Sequence, residues 1–92
     1  MVTNKNVFNP EQGGTLTISL KAPDSGRVTV KVYNIAGELV RPVFEADVQA
    51  GLWFQAIWNG RNEDGDIVAS GVYFVSVKGA GIKSIRKVVL MK

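Results

Sequence analysis

From Arg27 to Tyr33 the chain alternates strictly, with Val28, Val30 and Val32 on one side and Thr29 and Lys31 on the other. Successive side chains of a strand point to opposite faces, so a period of two describes a strand buried on one side only. The pattern recurs at Thr15–Leu20, where Leu16, Ile18 and Leu20 share a face, and at Val72–Lys78, where Tyr73, Val75 and Val77 alternate with Phe74 and Ser76. Turn formers separate these runs. Ala22-Pro23-Asp24-Ser25-Gly26 combines a fixed proline φ with a glycine free to take positive φ, and Asn34-Ile35-Ala36-Gly37 reads as a hairpin loop. Glu38–Asp47 is the returning strand, and Pro42 within it cannot donate to a ladder, so this strand is expected at an edge or with a bulge. After Gln49-Ala50-Gly51 comes Leu52–Trp58, with Leu52, Phe54, Ala56 and Trp58 on one face and Trp53, Gln55 and Ile57 on the other. Both faces carry large apolar groups, which predicts a strand covered on two sides or bulged. Ile67-Val68 is a short strand at most, and Ile82–Met91 is the last one, reached through the turn Lys78-Gly79-Ala80-Gly81.

About seven strands with turn signals every 8–12 residues or so predict an all-β, antiparallel sandwich, in which each sheet buries its apolar face against the other. Residues 1–92 suffice for one core, so a single domain is expected. No run approaches the length of a membrane span. Asn4 and Lys5 lead straight into strand-like sequence, so an export signal is expected outside this chain.

The chain contains no Cys and no His. Thiolate nucleophiles, disulfides, Cys-based metal sites and His-dependent triads are thereby excluded, and neither catalysis nor a cofactor is expected. Charge is unevenly spread. The net charge is +3, but from Ile67 onward there are five basic residues and no acid. The plain reading of such a run is a solvated strand face; the functional one is a surface for an anionic partner. The loop Asn59–Asp66 holds most of the remaining chemistry. Placing Gly65 at the sixth position of an EF-hand puts Gly60 first and Gly71 twelfth, so both key carboxylates are missing. Asn62, Asp64 and Asp66 leave open only an irregular, weak calcium site, and a plain turn in which Asn and Asp bond their own backbone is the preferred reading, so no metal is expected. Strand parity turns Trp58 and Tyr73 inward and Trp53 and Phe74 outward, so Trp53 and Phe74 are the candidate ligand patch, for a carbohydrate ring. No aromatic follows Phe74 in the basic region, and no nucleic-acid partner is expected.

Several short segments, in order, resemble two related families: the immunoglobulin-like domain of the flagellar hook-cap scaffold protein, and the type A C-terminal sorting domain of type IX secretion substrates. Asn6-Val7-Phe8-Asn9-Pro10 is similar to their opening box, and Val32–Val40 with Gly37 to their hairpin. Ala50-Gly51 followed by Trp58-Asn59-Gly60-Arg61 resembles their Ala-Gly and Trp-Asp-Gly pair. Gly65 with Ala69-Ser70-Gly71-Val72-Tyr73 resembles their Ser-Gly-x-Tyr box, and Arg86–Lys92 their closing strand. Asn59 stands where Asp is usual, and the Ala-Gly to Trp spacing is one residue longer, which a bulge would absorb. The resemblance implies an immunoglobulin-like, fibronectin III-like sandwich. It implies structural roles for Asn9, Pro10, Gly37, Gly51, Trp58, Gly60, Gly65, Gly71 and Tyr73, with Trp58 plugging the core and Gly71 giving Tyr73 a tight approach. It also implies that the basic last strand, with Lys83, Arg86, Lys87 and Lys92, is read by secretion or surface-assembly machinery. The domain would then come from the C-terminus of a larger protein and lie outside the cell or on its surface, after passage through the periplasm. The edge strand blunted by Pro42 favours a monomer. The alternatives are a structural domain of hook-cap type and a carbohydrate-binding module.

Overall fold

The computed structural model describes the backbone of residues 2–3 and all of residues 7–92. Asn4, Lys5 and Asn6 of the opening segment lie outside the described residues. The described strands are β1 (Val2–Thr3), β2 (Val7–Phe8), β3 (Leu16–Lys21), β4 (Gly26–Asn34), β5 (Leu39–Val48), β6 (Trp53–Trp58), β7 (Gly71–Gly79) and β8 (Ile82–Leu90). They form two sheets, in the orders β1-β3-β6 and β2-β8-β7-β4-β5. This is the expected immunoglobulin-like β-sandwich, with one departure from the antiparallel rule: β2 runs parallel to β8, pairing Val7 with Val89 and Phe8 with Leu90.

The alternating runs become the two inner faces. Leu16, Ile18, Leu20, Ala56 and Trp58 from the small sheet meet Val28, Val30, Val32, Val75, Val77, Val88 and Leu90 from the large one. Burying each such side chain contributes about 1.5–3 kcal/mol, which makes the pattern decisive for register. Phe44 of β5 stacks on Phe54 of β6, ring centres 5.2 Å apart, and ties the two sheets together along one side.

Pro42 does lie on an edge strand, β5, and the strand is irregular as well. Register shifts against β4 fall between Val30 and Lys31 and between Val32 and Tyr33, so Val43 and Val40 each lack an opposite residue. The missing proline donor and the bulges go together, since a bulge is where a ladder position can be skipped.

Three expectations are corrected. β6 is neither covered on both sides nor bulged: its pairing with β3 runs unbroken from Leu16 opposite Trp58 to Lys21 opposite Trp53, and Trp53 and Ile57 face outward with 62% and 56% of their surface exposed. The longer Ala-Gly to Trp spacing is therefore taken up ahead of the strand, in a turn closed by the Leu52 N–H donating to the Gln49 carbonyl. Leu52 sits in that turn, exposed, and does not share the inner face of Phe54, Ala56 and Trp58. Ile67-Val68 makes no strand; Ile67 forms a lone bridge with Arg61.

Candidate functional site

At one end of the sandwich three of the segments that carry the family resemblance meet. The Asn9 side chain accepts from the Glu11 N–H and caps a 3-10 turn at Pro10–Gln12. Pro10 is buried beneath Gly60: a Cβ at Gly60 would stand 2.7 Å from the Pro10 Cβ and 3.1 Å from the Leu90 Cδ1. Gly60 also has φ of 77°, so both space and backbone exclude a larger residue there. Below it Trp58 is fully buried, with Phe8 and Tyr73 edge-on at 5.4 Å each. The Trp58 Nε1–H donates to the Arg61 carbonyl at 3.0 Å, and the Tyr73 hydroxyl donates to the Ala69 carbonyl at 2.7 Å. Burial raises the Tyr73 pKa above its ordinary value. Gly71 opens β7 opposite Leu90, but a Cβ there would meet nothing within 4 Å. Gly71 takes φ of 157°, so at the entry to β7 the backbone and not the surroundings favours glycine, whereas at Gly60 space excludes a side chain as well. Gly51 lies in the turn before β6 and donates its N–H to the Ala22 carbonyl.

Gly37 and Gly65 belong to two copies of one loop. In Asn34–Glu38 the Asn34 Oδ1 accepts from the N–H groups of Ala36 and Glu38, and the Asn34 N–H donates to the Glu38 carbonyl. In Asn62–Asp66 the Asn62 Oδ1 accepts from Asp64 and Asp66, and the Asn62 N–H donates to the Asp66 carbonyl. The glycines take φ of 79° and 86°, the left-handed turn that closes each loop. The repeated spacing Asn-x-x-Gly-acid was visible in the sequence and went unread. It explains the calcium candidates differently: the Asn62 oxygen already serves two amides, while Asp64 and Asp66 point into solvent. Among the described residues no group of three or more acidic side chains is placed to hold a metal. An open groove of about 530 Å³ runs between the two loops, lined by Asn34, Glu38, Asn62, Glu63 and Asp64, with Tyr73 at its floor.

The basic residues of the last strand are not brought together. Lys83 and Lys87 lie on the outer side of β8, opposite Lys78 and Phe74 of β7. Arg86 is opposite Val75, on the inner side, and half-buried. Lys92 lies beyond the strand, its N–H donating to the Ser70 Oγ and its Nζ 3.9 Å from Glu11.

Trp53 and Phe74 do point outward, but from different sheets, so they cannot form one patch. Trp53 is isolated beside Lys21 on the small sheet. Phe74 lines a depression of about 430 Å³ on the large sheet with Tyr33, Ile35, Ser76 and Ile85. This groove is not legible in the sequence because it depends on the register of three strands, although Tyr33, Phe74, Ser76 and Ile85 each hold an outward parity position.

The chain matches the family model described as the FlgD Ig-like domain over residues 3–81. It belongs to that family. Among solved structures it is similar to PorZ, an essential bacterial surface component of the type-IX secretion system of Porphyromonas gingivalis, at 26% identity and a TM-score of 0.64. That likeness covers 99% of this chain and 11% of PorZ. FlgD from P. aeruginosa is similar at 25% identity and a TM-score of 0.59, over 84% of this chain and 61% of that one. A Pseudomonas fluorescens alkylpurine DNA glycosylase, AlkC, shares the fold alone, at 16% identity and a TM-score of 0.53 over 98% of this chain and 29% of its own. The chain thus spans about a tenth of PorZ and under two thirds of the FlgD chain. No curated protein matches. No helix among the described residues is long and apolar enough to cross a membrane.

Proposed function

We propose that this FlgD Ig-like domain is a non-catalytic accessory module at the C-terminal end of an exported or cell-surface bacterial protein, acting in secretion sorting or attachment. The observation that carries this reading is the extent of the two likenesses. The match to the FlgD Ig-like model stops at residue 81, before β8, whereas the likeness to PorZ takes in 99% of the chain and so includes that basic strand. A partner protein of the secretion or surface-assembly machinery, or another domain of the parent, would then read β8 and its surroundings. A structural role of hook-cap type is the second reading, favoured by the family match itself.

The test is a reporter carrying an export signal and fused ahead of residues 1–92, expressed in a type IX-competent bacterium. Sorting predicts reporter outside the cell, and retention in the periplasm when Lys83, Arg86 and Lys87 are changed to Ser in a domain that still melts cooperatively. Periplasmic retention of the unaltered fusion would overturn the sorting reading in favour of the structural one.

A further inference from the structure

The large sheet carries a feature that neither reading uses. On its outer side, cross-strand rows can be followed from β4 through β7 to β8. Thr29, Lys78 and Lys83 form one row, Lys31, Ser76 and Ile85 the next, and Tyr33, Phe74 and Lys87 the third. The middle row dips at Ser76, whose small side chain is buried between longer neighbours, and this dip is the floor of the 430 Å³ groove. Ile85 and Ile35 stand at its margins with 69% and 77% of their surface exposed.

The charge on this face is of one sign. Lys31, Lys78, Lys83 and Lys87 all project from it, and among the described residues none of the four has a carboxylate within 4.0 Å. The nearest outward acids, Glu45 and Asp47 on β5, are engaged by Arg27 at 3.0 and 3.9 Å. Lys78 and Lys83 are directly opposite each other, an arrangement that costs stability in a ladder. An apolar trough with an uncompensated cationic rim is complementary to an anionic partner that can also fill the trough.

We infer that the outer face of β4, β7 and β8 is a docking site for an acidic peptide segment carrying aromatic or aliphatic side chains. The apolar side chains would insert over Ser76, between Tyr33, Phe74 and Ile85, and the carboxylates would meet Lys31, Lys78, Lys83 and Lys87. The concavity favours a peptide over a lipid surface, since a bilayer offers no side chain to fill it. The site shares Lys83 and Lys87 with the sorting reading but does not require it, and would serve a structural domain equally; peptide binding without secretion of the reporter would separate the two.

The experiment is a selection of a displayed random-peptide library on the immobilised 92-residue chain, followed by NMR titration of the enriched peptide. The expected enrichment is for segments combining Glu or Asp with Phe, Tyr, Ile or Leu, with shifts centred on Tyr33, Phe74, Ser76 and Ile85. Charge reversal at Lys83 and Lys87 together should weaken binding about tenfold and lessen its salt dependence. Ser76→Tyr should abolish it by filling the trough, and both variants lie on the outer face, where circular dichroism verifies the fold. Enrichment of neutral or basic peptides, or peptides that bind Ser76→Tyr and the charge-reversed protein unchanged, would overturn the proposal. So would peptide-free shifts at the same residues that grow with protein concentration, which would mean a second copy occupies the face. Binding to phosphatidylserine vesicles with no peptide enrichment would likewise replace it with a membrane contact.

Discussion

Tyr73 illustrates how one residue couples a turn to the core. Its ring packs edge-on against Trp58 while its hydroxyl holds the Ala69 carbonyl just before β7. Tyr73→Phe keeps the ring and loses the hydrogen bond, so it should cost about 1 kcal/mol in urea unfolding at neutral pH. The alkaline behaviour adds a second readout. Burial raises the folded-state pKa above the ordinary value of 10.0, so the unfolded chain gives up the proton first. The stabilisation is complete below about pH 10 and is lost as pH rises through the raised value. The phenylalanine variant lacks this loss, so the stability gap should narrow above about pH 10; a gap that stays constant would show that the phenol is not desolvated. Asn62 makes a comparable point in the loop. Asn62→Ala removes the acceptor of two amides and should cost about 1 kcal/mol, as loss of a helix-capping side chain does. Calcium at about 1 mM, enough for low-affinity sites, should leave the melting temperature of the unaltered chain where it was. A rise that disappears in Asn62→Ala would restore the calcium reading.

The last strand is the element on which most depends. β8 contributes Val88 and Leu90, both fully buried, and holds β2 on its far side. The family match ends at residue 81, yet the fold does not. A chain ending at Gly81 would leave the β7 edge unpaired, remove Val88 and Leu90 from the core, and lose the Leu90 contact that seats Gly60 over Pro10. It should show no cooperative melting transition, and a native-like transition in calorimetry would contradict this account of β8. Loss of secretion on deleting β8 therefore cannot be read as loss of a signal; substitutions on its surface can. β5 shows the opposite case, an element legible from a single residue. Pro42 predicted its edge position, because an absent donor is tolerable only where no neighbour needs it. A bulge in this strand was the other expectation from Pro42; its positions, at Val40 and Val43, were not legible, since they express the fit of β5 against β4 and carry no glycine to mark them.

At the scale of the molecule, most pairings join strands distant in sequence: β4 lies beside β7, and β3 beside β6. Loops must close before such contacts form, so refolding should take milliseconds to seconds, as for other sandwiches. Stopped-flow fluorescence reads this directly, because Trp58 passes from solvent to full burial while Trp53 stays mostly exposed in the native state. Refolding in microseconds would point to a core assembled from local hairpins. Alternation and turn residues, both local properties, determined the strands, the inner face of each and the inward aromatics, because side-chain parity follows from strand geometry alone. The tertiary structure decided what parity cannot express: which sheet each strand joins, hence the separation of Trp53 from Phe74; the separation of Arg86 from Lys83 and Lys87 within β8 is parity itself. The tertiary structure also decided the groove over Ser76, because neighbouring rows exist only once three strands, brought together from opposite ends of the chain, share a register.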